Sequence, residues 1–139
     1  MSEAAHQPPV SPDEQLARFI TFHRWLKADK SIRPDAFMPP KDLNLSVTRH
    51  LGLSDEALWR HGQNVADAIA KEPAAGPYGR ADITAAEAIR QTLKVEAFPL
   101  PENANHAHIN GWPDKPAQKN IAQQLAATAK YVPKPQTGA

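Results

Sequence analysis

The chain has 139 residues, with 16 Lys and Arg against 15 Asp and Glu and a net charge of +1, the size of one ordinary domain. A hydrophobic content of 41% against 22% charged supplies one core and excludes wholesale disorder. There is no cysteine, hence no disulfide framework, no Cys-ligated metal and no thiol nucleophile. No apolar run approaches the roughly 18 residues of a membrane span, and MSEAAHQPPVSPDE has neither the basic nor the apolar region of a signal peptide. A soluble cytoplasmic protein with no membrane partner is expected.

Fourteen prolines punctuate the chain. They suggest a flexible arm over 1–10, a single domain over 11–132 and a flexible tail over 133–139. Ser11-Pro12-Asp13-Glu14 has the form of a capping box with proline at the first helical position. Leu16, Phe19, Ile20, His23 and Leu26 follow at helical spacing, predicting a helix over 12–28 with His23 on its apolar face. Phe22 and Trp25 widen that stripe. Residues 36–38 and 44–49 read as a short antiparallel pair, the second by its polar-apolar alternation.

Ser54, followed by Asp55 and Glu56, caps a helix with Leu58, His61, Val65, Ala68 and Ile69 on its apolar face, ending near Lys71. A short strand over 80–83 leads to the second capping box, Thr84 to Glu87, and a helix through Leu93. Residues 95–98 and 106–109 read as strands, and Asp114 caps a last helix with Ile121, Ala122, Leu125 and Ala129 facing inward. About four helices and three or four short strands in this order predict a compact α+β domain rather than regular βαβ units.

His106-Ala-His108 is the most suggestive chemical pattern. Residues two apart on a strand share a face, so both rings reach toward one divalent metal or one anion. A metal needs a further ligand, and Asp82, Glu102, Asp114, His50 and His61 are the candidates. Asn110 to Asp114 reads as a turn anchored by Trp112 before a helix cap. Arg49 and Arg80 are candidate clamps for anionic charge, and Arg80 and Asp82 lie at a spacing that also allows a simple ion pair. No Walker or dinucleotide loop, HExxH or EF-hand pattern is present.

Charge is unevenly spread, with seven bases and three acids over residues 18–50. This block, beside the aromatics of the first segment, gives Phe22, Arg24 and Trp25 the composition of a partner-binding patch. Ala36-Phe37-Met38-Pro39, Leu45-Ser46-Val47, Trp59, Gly79-Arg80-Ala81-Asp82 and His106-Ala107-His108-Ile109 together resemble a set of short conserved bacterial proteins of unknown function, over roughly residues 18–130. The resemblance implies a bacterial, intracellular, single-domain protein and transfers no catalytic residue. The function expected is that of an accessory protein that binds another macromolecule, most readily a protein, without catalysis. The alternatives are a small metal-dependent hydrolase or transferase acting on a phosphorylated or nucleotide-like substrate through His106 and His108, and a nucleic-acid binder using residues 18–49.

Overall fold

The computed structural model describes residues 7–69 and 77–135. They form an α+β unit in which six antiparallel strands make one sheet, flanked by three helices. The strands are β1 (Gln15–Ile20), β2 (Leu45–Arg49), β3 (Gly79–Thr84), β4 (Lys94–Ala97), β5 (His106–Asn110) and β6 (Lys130–Pro133), in the order β4-β5-β2-β1-β3-β6. The helices are α1 (Asp55–Ile69), α2 (Ala85–Arg90) and α3 (Lys115–Thr128).

The first segment departs most from expectation. In place of a helix over 12–28 it forms β1 and a 3₁₀ turn at His23–Trp25. The Ser11 box closes locally, with the Ser11 amide donating to the Glu14 carboxylate, but it makes a turn and no helix grows from it. Glu14 is instead drawn to Arg49 of β2. Leu16-Ala17-Arg18-Phe19-Ile20 is apolar on both sides of the chain because β1 is an interior strand, between β2 and β3, with both its faces covered. A short apolar run of this kind fits either period, and tertiary pairing decides it. His23 consequently lies exposed, edge-on to Tyr78, and not in the core.

Residues 36–38 are likewise not a strand: Pro34–Phe37 is a 3₁₀ turn that buries Ala36 and Phe37 beneath α3. The remaining expected elements form close to their predicted positions, each with its cap. Ser54 Oγ accepts from the Ala57 amide, Thr84 Oγ1 from Glu87 and Asp114 Oδ1 from Ala117. The end of α1 near Lys71 lies outside the described residues. So do positions 1–6 of the expected arm and 136–139 of the expected tail, whereas Lys130–Pro133 forms the edge strand β6 against β3. Among the described residues the result is three helices and six strands instead of about four and three or four.

The two faces of the sheet are covered unequally. On one, Leu16, Ile20, Leu45, Val47, Ile83 and Ile109 pack with α3, the 3₁₀ turns and Trp112 into the main core. On the other, α1 lies over Ala17 and Phe19 through Leu58, Trp59 and Val65. Helix α1 crosses β1 so closely that a Cβ at Gly62 would meet the Phe19 ring at 2.6 Å. No second long helix accompanies α1 on this face among the described residues, and the β2-β5-β4 half of it carries polar side chains: Ser46, His108, Glu96 and Asn110.

Candidate functional site

Strand β1 stays paired with β3 along its whole length, but it pairs with β2 only at Leu16–Arg49 and Ala17–Thr48. Beyond Ala17 the two strands part, and the Arg18 side chain occupies the gap. Its Nε donates to the Ala36 carbonyl at 2.8 Å and its Nη1 to the Ser46 carbonyl at 3.1 Å, replacing a ladder bond that β2 lacks there. Its Cζ lies 5.1 Å from the centroid of Trp25, in cation–π contact. Burial pushes the guanidinium down to about 10, still cationic at neutral pH.

Where the strands part, a cavity of about 400 Å³ opens between the second half of α1, the start of β2 and the 100–103 loop. Met38, Leu45, Val65, Ala68, Ile69 and Leu100 give it an apolar wall, while Arg18, His61, Asn64, Glu102 and His106 supply polar groups. That size and mixture fit a small-ligand site. His61 Nδ1 is buried with no hydrogen-bond partner among the described residues, and burial followed by the nearby Arg60 charge lowers its pKa. Neither Arg18 nor the cavity was foreseen. The one available signal was a single cation inside an otherwise apolar five-residue run.

His106 and His108 do share a face, opposite Thr48 and Ser46 on β2, with ring centroids 4.8 Å apart. The Phe98 carbonyl lies 2.9 Å from His106 Nδ1. A carbonyl only accepts, so Nδ1 carries the hydrogen and Nε2 is left as an acceptor. His108 stacks on the Phe98 ring at 4.3 Å. Burial is the largest influence on both rings and lowers both pKa values, against the opposing pull of the Phe98 carbonyl on His106 and of Asp42 and Glu96 on His108. Among the described residues no three His, Asp or Glu side chains are grouped to hold a metal, so the pair lacks the third ligand that zinc or iron requires.

The other candidates are bound within the fold. Arg49 is fully buried, its guanidinium held by both Glu14 oxygens and the carbonyls of Pro8 and Pro9, and so presents nothing to a ligand. Arg80 is 7% exposed; its Nε bonds both oxygens of Asp82 at 3.1 Å, its Nη1 reaches Asp55, and its Cζ stacks 4.9 Å over Trp59. His50 Nε2 approaches Asp82 at 3.3 Å, an unforeseen pairing that resembles part of a catalytic relay, but Arg80 already engages that carboxylate. Trp25 is only 9% exposed and belongs to the main core; Phe22 packs edge-on to it, and Arg24 lies exposed over Phe22. One of the seven bases in 18–50, Arg49, is likewise spent inside the molecule, while Arg18 is half-buried against Trp25. Trp112 anchors its turn as expected, with Nε1 donating to the Ile109 carbonyl. No helix among the described residues is long and apolar enough to cross a membrane.

Compared with protein-family models, curated proteins and solved structures, the chain matches none.

Proposed function

We propose that this chain acts by binding and without catalysis of its own, and that the recognised group enters the cavity between α1 and the parted strands β1 and β2. The observation that carries this reading is the cavity itself: about 400 Å³, largely apolar, with a cation in its wall. Support for binding over catalysis comes from the engagements of the reactive groups. Arg49, Arg80, Asp82 and His106 Nδ1 are each held by other parts of the fold. The surface that Phe22, Arg24 and Trp25 offer a macromolecule is reduced by the withdrawal of Trp25 into the core. The basic segment loses the charge of Arg49 in the same way.

The test is a titration with octanol and phenol, followed by backbone amide NMR, on the native chain and on Ala68→Phe. Ala68 is exposed on α1 at the mouth of the cavity, so a ring there narrows the entrance without disturbing the core. Shift changes confined to Ser46, His61, Val65 and Leu100 in the native chain, lost in A68F, are the expected result. Changes scattered over the surface, or unaltered by A68F, would count against the cavity.

A further inference from the structure

We infer that the ligand of this cavity is a small carboxylate with an apolar body, its carboxylate paired with Arg18; the inference rests on the cavity being the binding site. Arg18 is a half-buried cation in the cavity wall. No carboxylate lies within ion-pair distance of it among the described residues, unlike Arg49, Arg60, Arg80 and Arg90, which all have one. Removing a guanidinium from water is costly unless it is paired and hydrogen-bonded. The two carbonyls it meets take two of its five N–H groups, and among the described residues three remain unspent, two of them on Nη2. The Nη1–Nη2 edge is the side that receives a carboxylate in a two-pronged bond.

The remaining wall sets the rest of the ligand. Met38, Val65 and Leu100 present apolar surface that a bare inorganic anion would leave wet. Glu102, the one acid in the lining, is exposed on the 100–103 loop and keeps its own hydration. A ligand that places its charge inward and its apolar body against α1 is therefore matched in both parts. An extended peptide fits less well: β2 is an interior strand, held by β5 along its length, and where β1 leaves it Arg18 occupies the gap. Strand addition has no free edge to use there. A small free molecule is the occupant.

Matched probes of one chain length test this: octanoate, octanol and octylamine, titrated by calorimetry and by amide NMR. Octanoate is expected to bind at least about tenfold more tightly than octanol, the margin of one charge-assisted contact, with octylamine weakest. Arg18→Met should bring octanoate down to the level of octanol, while Arg18→Lys keeps part of the preference because it retains charge but not the planar fork. Arg18 also bridges β1 to β2, so if R18M fails to fold the three-probe comparison on the native chain decides alone. Octanol binding as tightly as octanoate overturns the carboxylate and leaves the cavity standing. No probe moving the cavity amides overturns the cavity reading together with this one.

Discussion

Arg49 has no surface of its own, and the Glu14 side chain is only 9% exposed, so their pair sits where water cannot replace a missing partner. Removing one member of such a pair leaves an uncompensated buried charge and costs about 3–5 kcal/mol. Glu14→Ala should lose that much in urea denaturation. The double variant Glu14→Leu, Arg49→Met should lose distinctly less, because it removes the charge together with its counterion. Equal losses in the two would show that packing, not the stranded guanidinium, governs the site. The same residues explain why the first segment is not a helix: a glutamate three positions after Ser11 has a use other than capping, and that use lies 35 residues away.

At the level of elements, the closest approach is that of α1 to β1. Alanine is the better helix former by roughly 1 kcal/mol, so Gly62→Ala would stabilise an isolated α1. Within the fold its Cβ would meet Phe19 Cε1 at 2.6 Å, and Phe19 is buried and packed against Trp59. Overpacking of this kind costs about 1–3 kcal/mol, so after the helix gain of roughly 1 kcal/mol a net loss of up to about 2 kcal/mol is expected, read as a lower denaturation midpoint; a raised midpoint would show that the Phe19 ring moves aside freely. This balance also marks how far the sequence can be read. Elements with a local start signal, such as Ser54, Thr84 and Asp114, were legible because each cap is satisfied within a few residues. The alternation of His106 and His108 correctly placed both rings on one face. Strand β1 was not legible, because its period is masked by burial on both sides, and β6 was missed because Lys130–Pro133 gains its partners only from β3. The cavity arises where β1 and β2 stop pairing, a property of two strands about 30 residues apart that no local pattern encodes.

For the whole molecule, acid is the perturbation that the buried groups answer together. His61, His106 and His108 all have pKa values lowered from 6.5, in each case chiefly by burial. In the unfolded chain these rings take up protons near pH 6.5; in the folded chain they do so only at lower pH. As pH falls below 6.5 the unfolded state therefore binds more protons, and stability declines until the native rings titrate as well. Glu14 adds a second step. Burial pulls its pKa up, but the hydrogen bonds from Arg49 and the Ser11 amide, with the Arg49 charge, outweigh burial and leave it below 4.5. Its contribution is complete above 4.5 and is lost as pH drops through the folded value. Urea midpoints measured from pH 8 downward should hold level, fall first below about 6.5 and fall again below about 4.5. His106→Gln should flatten the first fall while leaving the second, because glutamine keeps a donor for the Phe98 carbonyl without a group that titrates in this range. A first fall of unchanged depth in that variant would assign it to His61 and His108, and a profile level down to pH 5 would mean that the three rings take up protons as readily folded as unfolded.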